Sequence, residues 1–474
     1  MAFRSWLALA ALTVSGLLAL VSLPGAPGAR SAAAPTYWAD VRPLLAEHCV
    51  TCHSPGGIAP FALDTPQAAA RAARAAAAAV GSGLMPPWKP GPDSPAFLND
   101  HRLSERQKGV IAAWAAAGAP LGDEKFATPL AAAAARAQPD AVFSLPVTFT
   151  PPSGVDDEYR CFLIDPGLKQ DRFVTRFNVR PGQPSEVHHV IVYQVKPAAR
   201  AEALALEGKD GRPGWQCFGG SGLSGSLGWL GAWAPGGNAV DFPSGHGPLL
   251  QAGNLLVLQV HYNLTNGAKP DRTSVELGYA PVGAKLTPLK TGLVVAPVEL
   301  PCPPGAKGAL CNRDAALAEL VKAHGPRDAA VANGLLGYCG KTLADYALKP
   351  GSDATRLTTD CSLPAPGGGG TIFGVAGHMH LRGVSIRLEL LSPAGPARTL
   401  LDIPDWDFHW QGQYWLRQPV KVGPGDRVKV TCTFNNAASA QPVVNGQPQD
   451  PRYVLWGEGT RDEMCLGIVT YSPG

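Results

Sequence analysis

Two thiols two residues apart and followed at once by an imidazole, Cys49-Val50-Thr51-Cys52-His53, form the most compact chemical signature in the chain. Thiols at this spacing can add to the two vinyl groups of a porphyrin, which leaves the adjacent His53 placed to ligate the iron. Downstream, Met85 in Gly83-Leu84-Met85-Pro86-Pro87-Trp88 offers a thioether as a sixth ligand. A histidine and a methionine leave the iron no vacant position and favour a relatively high potential, so the chemistry predicted is electron transfer rather than oxygen binding. The competing reading is a Cys49–Cys52 disulfide with Met85 in a core. His48 and His101 read as surface or capping residues.

Five further histidines fall in strand-like runs: His188 and His189 in Glu186-Val187-His188-His189-Val190, His261 in Leu258-Gln259-Val260-His261-Tyr262, and His378 and His380 in Gly377-His378-Met379-His380. His378 and His380 are two apart, so on a strand both rings leave one face, a chelating arrangement for an imidazole-loving metal. Neighbours on an ideal strand point to opposite faces, so spacing leaves open whether His188 and His189 share an ion. Of the four methionines, Met379 lies inside the His-x-His strand and points away from the metal face. Met464, in Asp462-Glu463-Met464-Cys465, reads by itself as core filler. His246, His324 and His409 have no partner at ligand spacing and read as surface or core residues. No Ser-His-Asp order, P-loop or dinucleotide fingerprint is present.

These groups need scaffolds. With 474 residues the chain suggests about three domains. A net charge of +3 without a basic stripe leaves no nucleic-acid footprint. Residues 35–122 read as a small all-α domain: Tyr37 to His48 has helical apolar spacing, Ala68 to Val80 forms another run, and Ser104 caps a helix that reaches Ala117. Residues 123–146, rich in Ala and Pro, read as a linker with one short helix. From Val147 the pattern changes to strands, among them Val187 to Val195, Leu255 to Tyr262, Thr371 to Leu381 and Arg427 to Phe434. At the N-terminus, Arg4, an apolar run from Trp6 and a small-residue stretch ending near Ala34 read as an export signal over residues 1–34. An uncleaved membrane anchor is the competing reading. Export to a periplasm or the exterior suits the eight cysteines outside the haem motif, whose number fits disulfides.

The order His-His, Gln-x-His-Tyr, His-x-His and then Asp462-Glu463-Met464-Cys465, with Trp233-Ala234-Pro235-Gly236 and Asp157-Glu158-Tyr159-Arg160-Cys161 around it, resembles the copper type II, ascorbate-dependent monooxygenases from about residue 150 to 474. Residues 35–122 likewise resemble a small cytochrome c domain. The resemblance implies one copper on His188, His189 and His261, and an oxygen-binding copper on His378, His380 and Met464. It also implies a Cys432–Cys465 disulfide and two antiparallel β-sandwich domains of jelly-roll type, residues 147–300 and 301–474, facing each other across a solvent-filled cleft with a copper on each wall. Peptide-amidating members of the family grip a substrate carboxylate at positions that are here Ala376, Leu466 and Ile468, so a less polar substrate is expected. Arg382, just past the His-x-His pair, reads as solvated. The implied function is hydroxylation of a substrate C–H bond with O2, the electrons coming from an ascorbate-like reductant or redox protein and relayed by the haem to the His188 copper. A non-catalytic haem and copper electron carrier is the alternative from another class.

Overall fold

The structure is a computed structural model that describes residues 34–50, 52–55, 59, 61–98, 100–130, 138–217, 220–235, 237, 239–264, 267–393, 395–444 and 447–474. The expected export signal therefore lies outside the described residues up to residue 33. No helix among the described residues is long and apolar enough to cross a membrane.

The N-terminal segment is helical. A π-turn at Tyr37–Val41 runs into the α-helix Arg42–His48, followed by helices Pro66–Gly81 and Glu105–Ala116. The starts follow from local chemistry. Thr65 accepts a hydrogen bond from the Ala68 amide ahead of Pro66, and Ser104 and Gln107 satisfy each other's backbone amides in a capping box. Tyr37, Val41, Leu45, Ala69, Ala73 and Trp114 close a small core, the alanines letting the helices approach.

Two antiparallel sandwiches follow. In the first, the sheet ordered Trp215–Gln216, Asp157–Ile164, Leu255–Asn263, Val187–Val195, Ser226–Trp233 packs on a sheet built from Ala141–Ser144, Ser274–Tyr279, Arg172–Arg180 and Val240–Asp241. The second packs Lys290–Ala296, Cys465–Pro473, Gly370–His378 and Gln413–Val422 against Leu357–Pro364, Arg427–Phe434, Gly383–Leu391 and Arg398–Ile403. Valine and leucine from both inner faces fill each core, as expected for stacked sheets with alternating patterns.

Three features depart from the sequence expectation. Ala141–Ser144, read as linker, pairs with Ser274–Leu277 and is an edge strand of the first sandwich. Lys290–Ala296 pairs with the C-terminal strand Cys465–Pro473, so the change of sandwich falls before residue 290 rather than at 300. The second domain also carries a helical hairpin, Arg313–His324 and Pro326–Tyr338, inside what was read as strands alone. Asn312 caps the first of these helices and Gly325, with φ near 86°, makes the turn that no residue with a Cβ would adopt readily.

The eight cysteines pair as Cys161–Cys217, Cys302–Cys311, Cys339–Cys361 and Cys432–Cys465, while Cys49 and Cys52 remain thiols. The bridge Cys432–Cys465 joins the strand beside Met464 to the facing sheet.

The segment between Met85 and Leu98 straps the helical part to the second sandwich. The Gly91 amide donates to the Asp402 carbonyl at 2.8 Å, the Leu98 amide to the Trp415 carbonyl at 2.8 Å, and Lys89 pairs with Asp407 at 3.4 Å.

Candidate metal centre

In the first sandwich, His189 and His261 are direct cross-strand partners, which puts their rings on one face. The next pair is Tyr262 with Val187, so His188 is the extra residue of a β-bulge. The bulge supplies what an ideal strand denies: two consecutive histidines on one side of a sheet. One nitrogen from each of His188, His189 and His261 lies within 4.8 Å of the others. The facing atoms are Nδ1, at 3.2 Å from His188 to His261 and 3.4 Å from His261 to His189.

The second set follows from register. His378 pairs with Leu466, and Ala376 with Ile468, on adjacent antiparallel strands. The ladder ends at His378, and His380 and Met464 lie just beyond the paired residues of their two strands. The His378 and His380 rings are 5.1 Å apart, and Met464 is buried just before the strand Cys465–Pro473. Met379 points the other way into the core, as its place between the two histidines requires.

The two sets are closer than opposite walls of an open cleft would be. The His189 and His378 rings lie 6.2 Å apart, and Phe408 stacks on His188 at 4.2 Å while its ring is 6.1 Å from His380. A cavity of about 390 Å3 opens beside them, with His189, His378 and Met464 on its wall. Ala376, Leu466 and Ile468 line the same space.

Three of the rings are held by a partner on the outer nitrogen. His261 Nε2 meets Asp157 Oδ1 at 2.7 Å, His378 Nδ1 donates to Gln411 Oε1 at 2.5 Å, and His380 Nδ1 donates to the Asp462 carbonyl at 3.1 Å. Such partners choose the tautomer and aim the free nitrogen at a metal. Burial would raise the Asp157 carboxyl, but hydrogen bonds from His261 and Thr460 offset it and hold the group below the usual carboxylate range. Tyr159, next strand over, stacks on His261 at 3.9 Å and donates from its hydroxyl to the Glu458 carbonyl at 2.7 Å.

Burial, reinforced by neighbouring imidazoles, drives His188 and His189 well below the ordinary histidine value, and burial pushes His378 down to about 4 and His380 to about 3. All four rings are therefore neutral near pH 7, the form that binds metal. Buried neutral imidazoles, with the Met464 thioether on the same cavity wall as His378, fit copper, whose cuprous form prefers soft sulfur. Metal would take Nδ1 of His188, His189 and His261, and Nε2 of His378 and His380.

Several residues differ from their sequence reading. Arg382 is only 2% exposed, its guanidinium held by Asn436, Gln441 and the Arg461 carbonyl, because the Met464 loop folds over it. His48 and His101 are half-buried: His48 Nδ1 donates to the His101 carbonyl at 3.0 Å, and the His101 ring sits 4.9 Å from Trp88 on the cavity wall. His246, His324 and His409 agree with their reading as surface or core residues: His324 pairs with Asp462 at 3.4 Å, His246 packs on Phe373 at 4.4 Å, and His409 sits exposed beside Asp407. Sequence reasoning missed Gln411, Phe408 and the outer-partner role of Asp157. The run Trp406-Asp407-Phe408-His409-Trp410-Gln411, dense in aromatics between two strands, was the one signal available for the first two.

At the N-terminus, Cys49 and Cys52 are partly buried thiols and His53 is 9% exposed, with its Nδ1 donating to the Phe61 carbonyl at 2.9 Å and Nε2 left for another partner. Met85 packs beside Val80, Leu103 and Ile111. Two thiols, an imidazole and a thioether are the donor types that a haem c would need.

Comparison with known proteins agrees with the second sandwich. Residues 334–474 match the family model of the copper type II ascorbate-dependent monooxygenase, C-terminal domain, a stretch that holds His378, His380 and Met464 and stops short of the helical segment. The chain is 31% identical over 103 residues to DBH-like monooxygenase protein 1 of Mus musculus, covering 22% of this chain and 15% of that protein. It is 26% identical over 258 residues to dopamine beta-hydroxylase of Canis lupus familiaris, covering 52% of this chain and 32% of that protein. The chain thus spans less than a third of the length of these relatives. A solved allantoicase structure aligns over 66% of this chain and 81% of its own at 12% identity, but with a TM-score of 0.14 it carries no argument. These matches show that residues 334–474 are similar to the C-terminal domain of the copper type II ascorbate-dependent monooxygenases.

Proposed function

We propose that this protein is a copper-dependent monooxygenase that hydroxylates a C–H bond of a compact, largely apolar substrate with O2. One copper would be held by His188, His189 and His261 and a second by His378, His380 and Met464. The observation that carries the reading is that both nitrogen sets border one cavity, whose wall at Ala376, Leu466 and Ile468 is apolar. A pure electron carrier has no need of such a space. Copper supplies oxygen binding and the one-electron steps that the reaction needs. The chain's own part is to aim the imidazoles through Asp157, Gln411 and the Asp462 carbonyl, to soften one site with the Met464 thioether, and to hold an apolar group in a water-poor space. The test is reductant-driven incorporation of labelled oxygen into a product. Incorporation that survives in Met464→Ile would overturn the assignment of the second site.

Hydroxylation needs two electrons beyond the two the substrate gives. We propose that a haem c attached to Cys49 and Cys52, with His53 and Met85 as axial ligands, relays them from an ascorbate-like reductant or a redox protein in an exported compartment. Two observations support this. Cys49 and Cys52 lie outside the four disulfides, which take the other eight cysteines. A run of contacts also leads inward: from His48, beside Cys49, to His101, to Trp88, and on to Tyr414 at a ring distance of 5.4 Å. This run ends three residues from Gln411, which touches both histidine sets, rather than at the His188 set alone. A haem assay of protein matured in a periplasm checks the proposal, and haem-free protein would overturn it.

A further inference from the structure

Gln411 is the one side chain, among the described hydrogen bonds, that meets both histidine sets. Its Oε1 accepts from His378 Nδ1 at 2.5 Å, and its Nε2 lies 3.3 Å from His188 Nε2 while donating to the Phe408 carbonyl at 2.8 Å. The residue is 8% exposed and His188 is 6% exposed, so neither contact is easily exchanged for water.

A side-chain amide has one accepting end and one donating end. What it faces here depends on which ring nitrogens bind metal. Asp157 occupies Nε2 of His261, and the Nδ1 atoms of His188 and His261 converge at 3.2 Å. Metal on this set therefore takes His188 through Nδ1 and leaves a proton on Nε2, the atom that faces Gln411. On the other wall, His380 Nδ1 is engaged by the Asp462 carbonyl and His378 Nδ1 by Gln411, so metal takes Nε2 and each Nδ1 keeps its proton.

With the His378 set filled alone, His188 can adopt the tautomer that accepts from the amide, and both contacts hold; with the His188 set filled alone, both hold only once the amide turns over and gives up its bond to the Phe408 carbonyl. With both filled, Gln411 confronts an N–H at each end. Its oxygen can meet one of them, and its NH2 group meets the other donor to donor, whichever way the amide is turned.

We infer that Gln411 is a positioning residue that couples the two metal sets negatively, filling of either one disfavouring the other through its amide. The inference rests on the proposed copper sites at both sets. In a fully loaded protein, this amide is the contact that must yield, by rotating away from Phe408 or by letting the two histidine walls part.

The test is a titration of the full-length protein with Cu(I) against a chromophoric chelator. It compares stepwise affinities in the parent, Gln411→Ala and Gln411→Glu. Coupling predicts that Gln411→Ala tightens the second copper about tenfold relative to the first, the size of one relieved buried contact. Gln411→Glu should tighten it at least as much, since a carboxylate accepts at both ends. A merely structural role for Gln411 predicts the opposite, a weaker second copper in Gln411→Ala. Unchanged spacing of the two affinities in both variants, or weakening in both, overturns the coupling. A parent protein that takes up fewer than two coppers overturns the site assignment on which it rests, and the inference with it.

Discussion

The two walls of the metal centre reach similar ends by different means. On the first, a β-bulge swings consecutive histidines onto one face, and a carboxylate, Asp157, grips the outer nitrogen of the third. On the second, His378 and His380 sit at the end of a strand paired with the one that follows Met464, and the outer partners are neutral, an amide and a backbone carbonyl. A carboxylate behind an imidazole makes it a stronger donor, which favours the cupric state. Neutral partners and a thioether make the second site softer, which favours the cuprous state. The difference between walls is thus one of charge in the outer partners as much as of ligand type.

Breaking the second wall should have the largest effect. Met464→Ile removes the sulfur while keeping the volume, so labelled-oxygen incorporation should vanish while the spectroscopic signature of cupric ion at the His188 set persists. If both signals disappear together, the walls do not act separately.

Next comes the covalent support of that wall. Opening the Cys432–Cys465 bridge with paired alanines should cost about 2–4 kcal/mol of stability in thermal unfolding. It should loosen copper at the second set more than at the first, as read by chelator competition, because Cys465 directly follows Met464.

On the first wall, Asp157→Asn keeps the shape and removes the charge. Cupric affinity at the His188 set should fall about 10-fold to 100-fold with the second set unaffected. Equal weakening at both would erase the proposed contrast.

The smallest effect belongs to the strap. A hydrogen bond from His409 comes first, with Lys89 adding charge, in holding the Asp407 carboxyl down to about 2. A depressed carboxylate contributes stability in full above the unfolded value of about 4, and the contribution is lost as pH falls through the folded value. Lys89→Ala should therefore cost about 0.2–1 kcal/mol near neutral pH. The cost should shrink toward pH 2, as followed by hydrogen exchange in residues 86–98.

How far the sequence was legible varies by element. The helices Pro66–Gly81 and Glu105–Ala116 were readable because their caps, Thr65 and Ser104, act within four residues of the groups they satisfy. The strand Val187–Val195 was readable from its apolar pattern. Pairing was not. Ala141–Ser144 has too few residues to announce itself as an edge strand, and it is made one by Ser274–Leu277, more than a hundred positions away. The helical hairpin at 313–338 was overlooked although Asn312 and Gly325 mark its start and turn, since the surrounding strand signals dominated.

The sequence by itself offered the donor residues on which the proposed metal and haem sites are built, and the two-residue spacing of His378 and His380 predicted that those two rings leave one face. Only the tertiary structure decided that His188 and His189 act together, because a bulge is a mismatch between two strands and exists in neither alone. It also decided that Asp157 backs His261 across 104 positions, that Gln411 reaches His188 across 223, and that the two histidine sets border a single cavity. Ligand identity is a property of side-chain chemistry, which the chain carries locally. Proximity comes only when the sheets pair and close on one another, and that is a property of the fold.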